Sequence, residues 1–140
     1  MKLKNSEGDY LDLALKATKY AYAPYSGYQV GCAVVTADGE AYTGANIENA
    51  SYGLTCCAER VALHHAIVHG ARPDDIRLVV VASYGPHFPS PCGACRQVLA
   101  ELAPGAKVVM TNGKETRTAT VEDLLPGAFG MGGSNGSSGR

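Results

Sequence analysis

Residues 57–110 read CAERVALHHAIVHGARPDDIRLVVVASYGPHFPSPCGACRQVLAELAPGAKVVM, in which two helical patterns alternate with two strand patterns. Residues 57–69 are apolar on most sides, which indicates a helix buried on more than one face. Leu78–Val81 is a continuous apolar run, typical of a strand covered on both faces. A second buried helix is predicted over 95–102, and a second strand near Val108. A helix that joins two such strands predicts a right-handed parallel crossover and therefore an α/β fold.

Upstream of this stretch, the sequence predicts an amphipathic helix over residues 6–23. Ser6 and Asp9 form a capping pair at its start, and Pro24 ends it. The apolar stripe of this helix recurs with the 3.6-residue period. Its members are Leu11, Leu15, Thr18 and Tyr22.

A hairpin is predicted next, because residues 28–36 and 41–43 are rich in β-forming types and Asp38-Gly39 between them is a tight-turn signal. The elements after residue 110 are a turn at Asn112-Gly113, an edge strand over 115–120 and a short helix over 121–125. Together these elements predict a mixed five-stranded sheet sandwiched between helices. We expect them to form a single domain over residues 1–129.

Composition excludes several classes of protein. The chain has 140 residues and a formal net charge of −1, whereas a nucleic-acid surface needs a clustered excess of Lys and Arg. No apolar run approaches the roughly 20 residues of a membrane span, and residues 1–8 lack the apolar segment of a secretory signal. A cytoplasmic location is therefore expected. Residues 130–140 are mostly Gly and Ser, so we expect them to be a flexible tail.

Five cysteines in a reducing compartment indicate metal binding or catalysis before disulfides. Two cysteine motifs, Cys57–Arg60 (CAER) and Pro91–Cys95 (PCGAC), each open one of the two buried helices. A helix N-terminus carries partial positive charge, which favours the thiolate form. Two such ends facing each other would place three thiolates around one metal ion and leave a fourth position for water. That arrangement is typical of a catalytic zinc.

Glu59 stands two residues after Cys57, where it can face the same pocket without ligating the metal. A carboxylate beside an activated water is well placed to take and give protons. Arg60 can donate to a thiolate sulfur and offset part of the net negative charge of three thiolates on Zn²⁺. A Cys or His, a Glu two residues later and a following Pro-Cys-x-x-Cys are typical of zinc-dependent deaminases.

Over nearly its whole length, the chain resembles the small, single-domain cytidine deaminases. The resemblance implies the three-layer α/β/α fold of that family and one zinc ion held by Cys57, Cys92 and Cys95. It also implies hydrolytic deamination of free cytidine or deoxycytidine, in pyrimidine salvage. The similar stretches, in chain order, are Ala21–Ser26, Asn46–Tyr52, Cys57–Arg60, Ser90–Gln97 and Glu122–Phe129.

The same resemblance implies roles for individual residues. Glu59 would shuttle protons, Asn46 and Glu48 would bind the ribose 3′-hydroxyl, and the backbone at Ala58 would meet the pyrimidine. Tyr28 stands where the family usually has a Phe that stacks on the base, and its added hydroxyl needs a partner. The small members are homotetramers with shared active sites. Neighbouring subunits would accordingly contribute Ala50, Tyr52 and Phe129.

Alternative interpretations of the cysteines remain open. A structural zinc site in a non-catalytic interaction module would need a fourth protein ligand, which Cys56 or a His could supply. That interpretation leaves Glu59 unexplained. The pair Cys92 and Cys95 could be a redox pair, but it lacks a thioredoxin-like context. Cys32, Cys56 and the four histidines are interpreted as packing or surface residues.

The substrate also has alternatives. Within the deaminases, an enzyme acting on a cytosine-containing antibiotic such as blasticidin S is the runner-up. The segment Asn46–Asn49, which resembles the ribose-binding segment of the family, favours ordinary nucleosides over that antibiotic. A polynucleotide substrate is disfavoured, because the chain is short and not basic.

Overall fold

The structure is a computed structural model that describes residues 6–131. Over these residues, five strands form a mixed sheet in the order β2-β1-β3-β4-β5, and helices cover both of its faces. The strands are β1 (Val30–Thr36), β2 (Ala41–Ala45), β3 (Ile76–Ser83), β4 (Lys107–Thr111) and β5 (Thr116–Thr120). The α-helices are α1 (Glu7–Ala17), α2 (Ala58–Val68), α3 (Gly93–Leu102) and α4 (Val121–Leu124).

The sheet contains the predicted parallel crossover. β3 and β4 are parallel and are joined through α3, whereas β1 runs antiparallel to both of its neighbours, β2 and β3. β2 and β3 are therefore parallel to each other, and α2 connects them by passing over β1. β5 pairs antiparallel with β4 and is the predicted edge strand. The hairpin turns at Gly39, whose φ of 91° favours glycine.

Two buried clusters fill the space on the two sides of the sheet, which gives the three layers expected from the resemblance. Because successive strand residues point to opposite faces, neighbouring valines of one strand belong to different clusters. On one side the sheet packs against α2 and α3, with Leu63, Val79, Val81, Leu99 and Val108 buried there. On the other side it packs against α1, with Tyr10, Ala14, Ala33, Val80 and Val109 buried there.

Close backbone contact fixes the position of α2 on the sheet. A Cβ at Gly44 of β2 would lie 2.5 Å from the backbone nitrogen of Ala62 and 2.9 Å from the carbonyl oxygen of Ala58. Only glycine leaves room for such an approach. The first turn of α2, and with it Cys57 at its N-cap, is thereby held close to β2.

The N-terminal helix is shorter than predicted. The capping box of Ser6 and Asp9 is present, but α1 ends at Ala17 and continues only as a 3₁₀ turn over Thr18–Tyr20. The Thr18 hydroxyl donates to the carbonyl of Leu15 at 2.6 Å, a local bond that competes with continued helix. Consequently Tyr22 does not lie on the helix, and its side chain is 55% exposed. The predicted stripe therefore extends too far along the chain.

Two further predictions concern a membrane span and the C-terminal tail. Among the described residues, no helix has both the length and the apolar character needed to cross a membrane. The predicted tail, 130–140, lies outside the described residues except for Gly130 and Met131.

Candidate active site

The thiols of Cys57, Cys92 and Cys95 lie together between the starts of α2 and α3. Their sulfur atoms are all within 4.8 Å of one another, and those of Cys57 and Cys92 are 3.9 Å apart. Cys57 is the N-cap of α2 and Cys92 the N-cap of α3, while Cys95 lies in the first turn of α3. The backbone N–H of Cys95 donates to the sulfur of Cys92 at 3.5 Å. Both motifs therefore open helices, and the two helix starts face each other.

This donor set fits a zinc ion. Tetrahedral zinc sites take Cys sulfur at about 2.3 Å, which places the sulfur atoms of one site about 4 Å apart. Over residues 6–131, no fourth Cys, His, Asp or Glu joins the group. Cys56, the neighbour considered as a fourth ligand, is not part of it. Three protein ligands with one open position are characteristic of catalytic rather than structural zinc sites.

Hydrogen bonds favour a thiolate at Cys57. Bonding from the Cys95 thiol, with further contributions from Arg60 and Cys92, lowers the pKa of Cys57 to about 5. The guanidinium of Arg60 lies 3.6 Å from the Cys57 sulfur and also donates to the carbonyl of Thr55 at 3.3 Å. The same contact with Cys57 raises the pKa of Arg60 further above its usual range. The pKa of Cys95 is raised by its hydrogen bond to Cys57 and by burial.

Glu59 is buried beside these thiols without belonging to their group. Its side chain is 4% exposed, and burial, reinforced by the charge of Cys57, raises the pKa of its carboxyl to about 7. A carboxyl in such surroundings can both hold and release a proton near neutral pH. Glu59 faces the same cavity as Cys57 and Cys92. The structure thus places Glu59 beside the thiols and outside their group, where the sequence spacing predicts it.

The cavity has a volume of about 230 Å³. Cys57, Cys92 and Glu59 form one part of its lining, and apolar side chains form another. This combination of apolar walls with a few polar groups is typical of small-molecule sites. Besides Cys57, Glu59 and Cys92, it is lined by Tyr28, Val30, Asn46, Thr55, Ala58, Val81, Phe88, Pro89 and Ser90.

Asn46 lines this cavity, but its amide also supports the chain around it. Its oxygen accepts from the N–H of Val30 at 2.9 Å, and its nitrogen donates to the carbonyl of Tyr28 at 2.8 Å. One amide hydrogen and one lone pair remain for a ligand. Asn46 therefore has a structural role that the sequence did not reveal, together with the capacity for the predicted one.

Glu48 lies in an adjoining cavity of about 350 Å³, which shares Thr55 with the first. Its carboxylate accepts from the N–H groups of Tyr25 and Ser26, at 2.9 and 3.1 Å, and from the Ser26 hydroxyl. The hydroxyl bond is the main cause of the lowered pKa of Glu48. The carboxylate is therefore charged, and it can accept a further hydrogen bond.

The other predicted substrate residues are not all brought together in one chain. Ala58 lines the first cavity, and Tyr52 lines the second with a side chain that is 81% exposed. Ala50 is exposed, and neither cavity includes it. Phe129 is also outside both cavities. Its ring is 69% exposed, while its carbonyl accepts from the side chain of Gln97 at 3.2 Å.

Two residues near the cavity were not predicted. Phe88 lines it, with the guanidinium of Arg117 4.0 Å from the centre of its ring. Its only sequence signal is that it is an aromatic residue four positions before Cys92. Ser83 lies behind the lining and makes a hydrogen bond of 3.1 Å with the Tyr28 hydroxyl. That bond supplies the partner that Tyr28 requires.

Comparisons with known proteins point to one family. Residues 4–111 match the model of the cytidine and deoxycytidylate deaminase zinc-binding region. The chain is 52% identical over 118 residues to the cytidine deaminase of Halalkalibacterium halodurans, covering 83% of this chain and 88% of that protein. It is 48% identical over 116 residues to that of Sporosarcina psychrophila, covering 81% and 84%. The crystal structure of the Burkholderia pseudomallei cytidine deaminase superposes with a TM-score of 0.85 at 43% identity, covering 89% and 100%.

Proposed function

The chain belongs to the cytidine and deoxycytidylate deaminase family, and from this premise we propose how its residues deaminate free cytidine or deoxycytidine. Cys57, Cys92 and Cys95 hold one zinc ion, and Glu59 carries the protons. The products are uridine or deoxyuridine and ammonia. The observation that supports these roles best is the burial of Glu59 in the cavity that Cys57 and Cys92 line, outside the three-thiol group.

The proposed mechanism turns on proton transfer by Glu59. When bound, Zn²⁺ lowers the pKa of a coordinated water and so supplies the attacking oxygen. Glu59 takes a proton from the water and delivers it to N3 of the ring while the oxygen adds to C4. Glu59 then takes the proton of the new C4 hydroxyl and passes it to the 4-amino group, so that the C4–N bond breaks, the C4 carbonyl forms and ammonia leaves. A carboxyl pKa of about 7 suits both directions of transfer.

The remaining residues orient the substrate and balance charge. Arg60, in contact with the Cys57 sulfur, offsets part of the negative charge of three thiolates. The free hydrogen-bonding capacity of Asn46 and Glu48 is available to the ribose hydroxyls. The apolar wall that includes Tyr28 accepts the face of the base.

The lining predicts a nucleoside rather than a nucleotide substrate. Neither cavity is lined by Lys, Arg or His, and the charged Glu48 lies in the second. A 5′-phosphate would meet no cationic side chain in either lining and a carboxylate in the second, so we expect cytidine 5′-monophosphate to have a kcat/KM at least about 100-fold below that of cytidine. The loss of the cytosine absorbance band measures both rates.

A neutral control separates charge from size in this assay. 5′-O-methylcytidine adds bulk without charge, so its kcat/KM should fall much less than that of the monophosphate. Equal turnover of monophosphate and cytidine would contradict the charge argument. Turnover of blasticidin S but not of cytidine would favour the antibiotic-directed enzyme. No turnover of any of these substrates by the zinc-loaded protein would favour a non-catalytic zinc module.

We also propose a homotetramer with shared active sites, acting in pyrimidine salvage in the cytoplasm. Exposed apolar side chains support the assembly, because clustered exposed apolar surface often marks an interface. Tyr25 and Tyr52 line the second cavity with exposed rings, and Leu54, also exposed, follows Tyr52 by two residues. The five cysteines are all free thiols, as a reducing compartment would keep them.

Phe129→Ala is expected to raise the KM for cytidine about tenfold or more, since Phe129 is proposed to insert into a neighbouring subunit's site and truncating an aromatic hot spot costs about 2 kcal/mol or more. Met131→Ala, at a neighbouring exposed position, should leave KM unchanged. Steady-state kinetics and light scattering of both variants provide the measurement.

Co-expression makes the same experiment specific for sharing between subunits. Mixed oligomers of Phe129→Ala and Glu59→Gln chains would place an intact Phe129 beside an intact Glu59, and a low KM should return. A monomeric parent protein with full activity, or mixed oligomers without this recovery, would disprove shared sites.

A further inference from the structure

Every polar group of Tyr28 is engaged in a hydrogen bond. Its N–H donates to the Ser26 hydroxyl oxygen at 3.0 Å, and its carbonyl accepts from the Asn46 amide at 2.8 Å. Its hydroxyl is 3.1 Å from the hydroxyl of Ser83. The ring of this residue lines the same cavity as Glu59. A side chain held at both its backbone and its tip has little freedom to leave the cavity wall.

The hydrogen-bond partner of the Tyr28 hydroxyl belongs to the central sheet. Ser83 is the last residue of β3, it is fully buried, and it does not line the cavity itself. Val81, two residues earlier on the same face of the strand, does line the cavity. Tyr28, in contrast, precedes β1 in an irregular segment and is 39% exposed. The bond therefore joins an exposed aromatic ring to the central sheet.

The same bonds connect the two cavities. The Ser26 hydroxyl, which accepts from the Tyr28 N–H, donates to Glu48 in the second cavity. A continuous path runs from Glu48 through Ser26 and Tyr28 to Ser83. The group proposed to meet the ribose and the ring proposed to meet the base are therefore held in one network.

From this geometry we infer that Ser83 is a positioning residue, which holds the Tyr28 ring in place as the wall against which the cytosine base binds. The inference rests on the proposed function and adds a residue to it. A ring that is already held in its binding orientation loses no rotational freedom when the substrate arrives. Ser83 lines neither cavity, so it acts through Tyr28, to which it is hydrogen-bonded.

The test is a double-mutant cycle on the zinc-loaded full chain with cytidine as substrate. Ser83→Ala and Tyr28→Phe each remove the same bond, and each should raise KM about 3- to 10-fold, the range for losing one neutral hydrogen bond. kcat should stay within about twofold, since the wall contacts ground state and transition state alike. The double variant should resemble either single variant, because the bond can be lost only once.

Thr36→Val is the matched control. Thr36 is a buried hydroxyl residue at the opposite end of β1, where it donates to the carboxylate of Asp38 at 2.5 Å. This substitution should lower Tm while leaving KM unchanged, which separates loss of stability from loss of positioning. An unchanged KM in folded Ser83→Ala, or single effects that multiply in the double variant, would overturn the inference.

Two further outcomes are distinct. If Ser83→Ala does not fold, Tyr28→Phe still removes the bond from its exposed side, and a parent-like KM for that variant alone overturns the inference. If the parent protein itself does not deaminate cytidine, the proposed function fails, and the inference fails with it. If the parent is active and the Tyr28 and Ser83 variants have the same KM and kcat as the parent, the inference is refuted. The proposed function then still stands.

Discussion

Glu59→Gln is expected to lower kcat for cytidine by about 10⁴-fold or more. A general acid or base contributes about 10²- to 10⁴-fold to a rate, and Glu59 is proposed to serve water activation, N3 protonation and amine departure together. Gln keeps the size of the side chain but cannot carry a proton. Glu59 lies outside the three-thiol group, so the zinc content should stay near one per chain. Cytidine should still bind, because Asn46 and Glu48 are unchanged.

Three measurements establish this dissociation of turnover from binding: the rate from absorbance, zinc from elemental analysis and cytidine affinity from calorimetry. Glu101→Gln, at an exposed position on α3, controls for removing one carboxylate and should behave as the parent. If Glu59→Gln loses zinc and fold together, Glu59 is a ligand or a structural residue. If it turns over cytidine at nearly the parent rate, the proposed mechanism is wrong.

Cys57→Ser is expected to lose the zinc ion, and Cys56→Ser to keep it. Of these two neighbouring cysteines, only Cys57 belongs to the three-thiol group. Losing a metal that supplies several kcal/mol of transition-state stabilisation should cost at least about 10³-fold in kcat. Cys56 instead takes part in the fold through its backbone, which exchanges two hydrogen bonds with Ile47 at 2.8 and 2.9 Å. A serine retains both of these bonds.

Zinc content and activity of the two variants, measured side by side, decide between the neighbouring thiols. X-ray absorption of the parent protein adds the number of sulfur ligands, which should be three. Loss of metal from Cys56→Ser would mean that the ligand assignment is wrong by one residue. Four sulfur ligands would indicate a closed structural site and contradict the open position proposed for water.

The thiol group was predictable from sequence because its signals are local. Cys57 and Cys92 each precede a helical pattern, and Cys95 follows Cys92 by one turn, so the helix starts alone specify where the sulfur atoms go. The family resemblance supplied the pairing of the two motifs. Glu59 needed only its spacing from Cys57. The sheet elements were likewise indicated by local composition, and their parallel crossover by the helix between them.

The bond between Tyr28 and Ser83 could not be predicted, because it depends on strand register. Val30 pairs with Ser83 across β1 and β3, and this register brings Tyr28, two residues before Val30, next to Ser83. Composition does not specify register between strands that are distant in the chain. The bonds from Asn46 to Tyr28 and Val30 have the same origin. The end of α1 was predicted too late for another reason. The Thr18 hydroxyl bonds to the carbonyl of Leu15, and the helix ends there rather than at Pro24.

The sheet separates the two buried clusters. The candidate active site lies on the side of one cluster, and the other cluster lies on the opposite side. The thiols and Glu59 lie at the starts of the helices on the α2 and α3 side. Tyr10, Ala14 and Val80, on the α1 side, contribute packing without contacting either cavity. Apolar substitutions in the cluster beneath α1 should therefore be tolerated as long as the total side-chain volume is conserved. An engineer seeking thermostability would repack that side first, because the residues proposed for catalysis lie on the other.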